Sequence, residues 1–278
     1  MKILAKLYKF CSSWTGTFII VFIVIFFIAQ AFVIPSGSMK NTLLVGDFLF
    51  AKKFVYGIPT PHIPWLEIPV LPDFNNNGHL IEGNRPKRGE IVIFRNPENT
   101  KIHFVKRLFA VGGDEVIFDF KNMYLRPHEG DDFIDKNYDK KDIVILNGKK
   151  FVREPYKYKG IHYDEKVDMV SATLHYLKIN KFYMQPLTVS EISQDLTNKI
   201  GFNVYYAKIA NDEFFMVGDN RNNSNDSRFW GPVPYKLIVG KPWFVYFSWN
   251  SKKEIRWERI GRFVDTLQND ERFIYEQD

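Results

Sequence analysis

Ile34-Pro35-Ser36-Gly37-Ser38-Met39-Lys40-Asn41-Thr42-Leu43 begins where a long apolar run ends. Two serines flank a glycine after a proline that fixes the backbone. Such a turn can present one hydroxyl outward and leave its own N–H groups free. A serine is a weak nucleophile until a base takes its proton, so the rest of the chain is read for that base.

Before the turn, Trp14 to Ile34 read WTGTFIIVFIVIFFIAQAFVI, with no charge and one amide, Gln30. About 20 such residues span a bilayer as a helix, which predicts a transmembrane helix over 14–34. Lys2, Lys6 and Lys9 precede it and favour a cytoplasmic N-terminus. Ala29-Gln30-Ala31 also has the small-x-small form of a signal-peptide cleavage site, but Phe32-Val33-Ile34 extends the apolar run past it. On either reading the bulk domain is exported.

The chain has 278 residues, enough for an anchor and one large or two small domains. Aromatics at 17%, with 26 Phe and 14 Tyr, favour strands. The formal charge of +6 is scattered, with no stripe or motif for nucleic acid. The lone Cys11 excludes an intramolecular disulfide.

After Gly46 the pattern becomes short strand-like runs. Asp47–Ala51 is one. Six prolines and Asn75-Asn76-Asn77-Gly78 fill 57–88, which predicts an irregular excursion or hairpin arm. It reads as a surface loop or, given Trp65 and Leu66, as a flap contacting substrate or membrane. Arg88–Phe94 is a turn and then a strand, and His103–Val111 is a second strand closed by Gly112-Gly113-Asp114. Residues two apart share a strand face. Phe104, Lys106 and Leu108 therefore point one way, and Val105, Arg107 and Phe109 the other. At least one cation must sit among apolar groups. Only a lysine can respond by losing its proton, so Lys106 is the candidate base; the other reading is a strand lysine that reaches out to water, the commoner case for this residue.

From about 120 to 207 the texture shifts to Lys, Asp, Tyr and Asn with runs such as Ile143–Leu146, which predicts an inserted smaller β-region. Within it, Leu187–Lys199 could form a helix. His162 and His175 have no partner at ligand spacing. Glu213–Gly231 runs from an apolar strand into a polar loop holding Asp219, Arg221, Asp226 and Arg228, candidates for buried pairs around a rigid site. Its two glycosylation sequons are discounted as chance matches in an internal loop. Val239–Trp249 reads as a final core strand. The Arg- and Trp-bearing tail 255–263 reads as either packed on the domain or lying at a lipid interface.

Four stretches, Phe32–Asp47, Arg88–Phe94, Phe104–Asp114 and Phe214–Pro232, occur in the order seen in bacterial type I signal peptidases, which this chain resembles. Those are membrane-bound serine endopeptidases that remove signal peptides from exported preproteins. The resemblance implies Ser38 as nucleophile and Lys106 as general base, a Ser-Lys dyad. It implies an oxyanion hole from the Ser36 hydroxyl and the Ser38 N–H. Ser224 would orient the lysine, Asp219 would pair with Arg107, and Asp226 with Arg228. Phe32, Ile34, Pro35, Met39, Leu43, Phe104 and Val105 would line the substrate groove. Asn41 stands where proline is usual and Asn222 where aspartate is common.

The expected fold is mainly β: an antiparallel catalytic core (35–119 and 208–278), an inserted β-region (120–207), and one transmembrane helix (14–34) after a cytoplasmic start (1–13). The expected partners are signal peptides and the lipid bilayer, with no cofactor, metal or nucleic acid. The expected location is the bacterial inner membrane, single-pass, with the catalytic part on the extracytoplasmic side. A Ser-Lys autoprotease of the SOS-repressor type would carry a DNA-binding helix-turn-helix where this chain has its apolar run. A β-lactamase-like enzyme would need S-x-x-K. The non-enzymatic alternative is a membrane-anchored β-domain that binds partner proteins.

Overall fold

The structure, a computed structural model, describes residues 2–24, 29–63, 66–119, 121–164, 168–170, 183–186 and 204–273. In chain order the strands are β1 (Ala29–Val33), β2 (Asp47–Lys52), β3 (Gly57–Pro59), β4 (His62–Ile63), β5 (Ile68–Pro69), β6 (His79–Glu82), β7 (Ile91–Asn96), β8 (Asn99–Val111) and β9 (Glu115–Phe118). They continue with β10 (Met123–Arg126), β11 (Ile143–Leu146), β12 (Lys149–Arg153), β13 (Gln185–Pro186), β14 (Tyr205–Lys208), β15 (Glu213–Val217), β16 (Val233–Pro234) and β17 (Ile238–Ser248). All pairings between these strands are antiparallel.

Seven strands form the main sheet in the order β1-β2-β17-β7-β8-β15-β16. Its centre is apolar on both faces. Along β7, Ile91 and Ile93 pack with Leu49, Val239 and Val264, while Val92 and Phe94 pack with Leu108, Met216 and Ile238. This is why Ile91-Val92-Ile93-Phe94 is a continuous apolar run and not an alternating one. A second sheet, β11-β12-β10-β9-β14-β13, forms the smaller β-region and begins at Glu115. A shared core that includes Phe109, Phe215, Val116, Phe118 and Leu125 welds the two sheets together. The expected helix over Leu187–Lys199, and His175, lie outside the described residues.

The expectation of one transmembrane helix over 14–34 needs correction. The described helix covers Trp14–Ile23, capped by the Ser13 hydroxyl, which accepts from the Gly16 N–H at 3.1 Å. Residues 29–33 are instead β1, with Ala29 opposite Lys52 and Val33 opposite Phe48. Among the described residues no helix is long and apolar enough to cross a membrane. The physical reason is that the end of the apolar run has an edge to pair with, so its backbone groups are met by β2 and not within a helix.

The proline-rich segment makes two short hairpins, β3 with β6 and β4 with β5. The tail is packed on the domain through Arg259, while Trp257 stays 72% exposed. Arg259 donates from Nε and Nη2 to the two carboxylate oxygens of Asp47, at 3.0 and 2.6 Å, and both side chains are fully buried. Asp47 also accepts from the Leu44 N–H at 2.8 Å and the Ser248 hydroxyl at 2.7 Å.

Removing one partner of a buried, fully bonded ion pair leaves an uncompensated charge and costs about 3–5 kcal/mol. Arg259→Ala is therefore expected to lower the urea midpoint by that equivalent; a midpoint equal to wild type would mean that Asp47 does not need this counter-ion.

Candidate active site

The Ser38 turn is an excursion of the β1–β2 hairpin. Its neck is closed by the Ile34 N–H donating to the Asp47 carbonyl at 2.9 Å and the Gly46 N–H donating to the Ile34 carbonyl at 3.0 Å. Gly46 has φ 86, and a Cβ there would lie 2.2 Å from the Trp249 carbonyl oxygen, so only glycine fits. At the far end, Gly37–Met39 form one turn of 3-10 helix. Leading N–H groups of a helix have no intrahelical acceptor, and Ser38 sits at that position.

β8 brings Lys106 to this turn. Lys106 Nζ lies 2.5 Å from Ser38 Oγ, with the serine 8% and the lysine 4% exposed. Burial lowers the Lys106 pKa to about 8; Asp226 and Asp219 pull it up, and Arg228 pushes it further down. Both cations of the β8 pair are buried, and they differ as their chemistry requires. Arg107 has an acceptor for each of its three nitrogens. Its Nε and Nη2 donate to Asp219 at 2.7 Å each, and Nη1 donates to the Gly89 carbonyl at 2.7 Å and to Gln268 at 2.9 Å. Burial would raise the Asp219 carboxyl, but the Arg107 charge, its hydrogen bonds and the Thr42 hydroxyl hold it below its ordinary value.

The loop after β15 grips the turn. The Asn220 N–H donates to the Ser38 carbonyl at 3.1 Å, and the Asn220 amide donates to the Gly37 carbonyl at 3.3 Å. The Thr42 hydroxyl donates to Asp219 at 2.6 Å. Asp226 pairs with Arg228 through two bonds of 2.8 Å and accepts from the Gly218 N–H at 3.1 Å. Burial again opposes the carboxylate, and Arg228 outweighs it. Arg221 is not paired inside the loop; its Nη1 lies 3.5 Å from Glu154, and its guanidinium is 5.4 Å from the Phe109 ring centre.

Of the other expected site residues, Ser36 is exposed, with its Oγ 3.4 Å from Ser38 Oγ. Ser224 is fully buried against Gly218. Its Oγ makes no well-aligned hydrogen bond, to Lys106 or otherwise, and it lies close enough to Asp226 to favour that carboxylate. Ile34, Met39, Leu43, Phe32 and Val105 come together in one apolar cluster. Within it Met39 and Leu43 are 1% and 0% exposed, and Phe32 and Val105 are partly buried. Pro35 is exposed. Phe104 stands apart, packed on Phe94 and Trp230, with its ring centre 5.1 Å from Lys106 Nζ.

Asp47, Thr42, Asn220, Arg259 and Gln268 were not expected at the site. One signal was available. Asp47, Leu49 and Ala51 share a strand face, so a carboxylate on that apolar face required a buried partner.

One group among the described residues has metal-like spacing, Asp114, His128 and Glu129. Arg88 Nη2 lies within it, 2.6 Å from Asp114, 2.9 Å from His128 and 2.8 Å from Glu129, so a guanidinium already occupies the cation position.

Residues 7–249 match the family described as signal peptidase, peptidase S26. A signal peptidase I of Helicobacter pylori (strain J99) is 52% identical over 291 residues, covering 96% of this chain and 97% of that one. A signal peptidase I of Buchnera aphidicola (subsp. Baizongia pistaciae) is 32% identical, covering 90% and 81%. One of Aquifex aeolicus is 33% identical, covering 83% and 82%. With a buried serine–lysine contact at its centre and this degree of kinship along nearly its whole length, the chain belongs to the signal peptidase I family, serine endopeptidases that cleave signal peptides.

Proposed function

We propose that this signal peptidase works through a Ser38–Lys106 dyad. The observation that carries the reading is the buried 2.5 Å contact between Ser38 Oγ and a lysine whose pKa is near 8. Neutral Lys106 takes the Ser38 proton as Oγ bonds to the scissile carbonyl carbon. The carbonyl oxygen becomes an oxyanion beside the Ser36 hydroxyl and the Ser38 N–H. The tetrahedral adduct then breaks its C–N bond, and the Lys106 ammonium gives its proton to the departing amine. Lys106, neutral again, takes a proton from the water that hydrolyses the acyl-enzyme.

Asp219–Arg107 and Asp226–Arg228 support the dyad as two neutral pairs. The apolar wall of Phe32, Ile34 and Val105 leaves room for small side chains before the cut, which suits small-x-small sites. The substrate lies extended along this wall. The N-terminal apolar run, whose described helix exposes Trp14, Phe18 and Ile19, attaches the chain to the bacterial inner membrane, with the catalytic sheets on the extracytoplasmic side. The non-enzymatic alternative requires an idle dyad, and nothing in the geometry favours it.

Purified Ser38→Ala and Lys106→Ala are each expected to lose cleavage of a preprotein with an Ala-x-Ala site; wild-type turnover in either variant overturns the dyad.

The pH dependence follows from the same lysine. Its active form is neutral and its pKa is about 8. Below that value kcat/KM should rise about tenfold per pH unit, then level off above it. A flat profile from pH 6 to 9 would remove Lys106 as base.

Loss of one oxyanion donor typically lowers turnover by about 10²–10³-fold. Ser36→Ala should show that fall in kcat with little change in KM, and a silent variant would take Ser36 out of the oxyanion hole.

A further inference from the structure

The β4–β5 hairpin has no part in the dyad, and its two faces differ. Its inner side carries Glu67, with 7% of its side chain exposed, and the half-buried His62. Glu67 accepts from Arg95 Nη2 at 3.0 Å and lies 3.8 Å from His103 Nε2. The His103 ring packs edge-on against Phe32, with centres 5.2 Å apart. Burial, with help from Arg95 and Lys53 and against Glu67, pushes the His103 pKa down to about 4, so it meets Phe32 as a neutral ring.

The outer side is apolar and open. Ile63 pairs across the hairpin with Ile68, and Val70 extends the ladder by donating to the Pro61 carbonyl at 2.8 Å. Ile63, Leu66, Ile68 and Val70 are 38%, 58%, 53% and 44% exposed. Four large apolar side chains left open on so short a segment mark a contact surface.

The order of residues says what would lie there. Ile34 adjoins the Ser38 turn, Phe32 follows it along β1, His103 packs on Phe32, and Glu67 ties the hairpin to Arg95, which lies opposite His103 across β7 and β8. An extended substrate advances about 3.3 Å per residue. If its cut bond is at Ser38 and it runs upstream past Phe32, its next residues reach the hairpin. In a signal peptide those residues lead into an apolar stretch of about 7–15 residues.

We propose that the outer face of the β4–β5 hairpin is an upstream subsite that receives the apolar segment of the signal peptide. This rests on the Ser38–Lys106 reading and extends the same groove. The hairpin makes a small-x-small site a better substrate when an apolar segment precedes it. Glu67 is a positioning residue: it anchors the hairpin beside Phe32 and leaves the outer face free.

The test compares two substrates with the full chain in detergent micelles. One is a preprotein with its apolar segment, and the other is a short peptide holding only the Ala-x-Ala site and its immediate neighbours. Ile63→Ser with Ile68→Ser, and separately Leu66→Ser, should lower kcat/KM on the preprotein by about tenfold or more. Both variants should cut the short peptide at the wild-type rate and keep the wild-type melting temperature. Unchanged preprotein cleavage overturns the subsite, and so does an equal loss on both substrates. A loss seen only when anionic vesicles are added, and not in micelles, also overturns it and makes the face a lipid contact. Failure of the dyad reading looks different: Ser38→Ala would then cut the short peptide as wild type does.

Discussion

The Ser38 turn depends on Thr42, where two buried arginine–aspartate pairs meet. The Thr42 hydroxyl is held by Asp219, which Arg107 neutralises, and the Thr42 carbonyl accepts from Arg259 Nη2 at 3.1 Å while Arg259 neutralises Asp47. One pair comes from the β8–β15 side of the main sheet and the other from the C-terminal tail. Between them they fix a turn that the β1–β2 hairpin alone would leave as a loop joined only at its neck. Desolvating two charges is costly, and a buried pair is weak evidence for stability on balance. Here every carboxylate oxygen has a donor, and what the pairs secure is position. A serine and a lysine held 2.5 Å apart, as the proposed dyad requires, gain from a frame that does not slide.

The same pairing sets the electrostatics of the lysine. Asp219 and Asp226 both raise its pKa, and an unpaired carboxylate beside it would keep it charged. Arg107 and Arg228 turn each carboxylate into a nearly neutral unit, so desolvation dominates and the pKa falls from 10.5 to about 8. A shift of that size corresponds to ~3 kcal/mol of difference between the two protonation states. The paired arginines thus let a lysine surrounded by two aspartates give up its proton more readily, as the proposed base must.

Much of this was legible along the chain. β8 carried Lys106 and Arg107 on opposite faces of a strand with apolar neighbours on both, which required that at least one be buried, and both are. The loop from Asp219 to Arg228 read as buried charge, and three of its four ionised side chains have close partners. Two features were hidden for definite physical reasons. A wholly apolar run has no period, so Trp14–Ile34 could not reveal that its last residues pair as a strand. Asp47 and Arg259 are joined only by the fold, and local spacing does not encode a contact between the start of one strand and a tail far downstream. The aspartate on an apolar strand face did announce that a partner must exist, without saying which.

The two positions that depart from the expected family pattern both lie in the frame around Asp219. Asn41 replaces a proline and has φ 71, a left-handed conformation that asparagine tolerates and that a proline ring forbids. The turn leaving Ser38 therefore follows a path here that a proline at this position could not take, and the Thr42 hydroxyl reaches Asp219. Asn222 replaces an aspartate. Its amide accepts from the Asp164 N–H at 2.7 Å and donates to the Asp164 carbonyl at 2.9 Å. A carboxylate could accept the first bond but not donate the second. The amide thus ties the loop to the chain beside His162, whose own N–H donates to the Asp219 carbonyl at 2.9 Å. Both residues belong to the frame around Asp219, and neither touches the contact between Ser38 and Lys106.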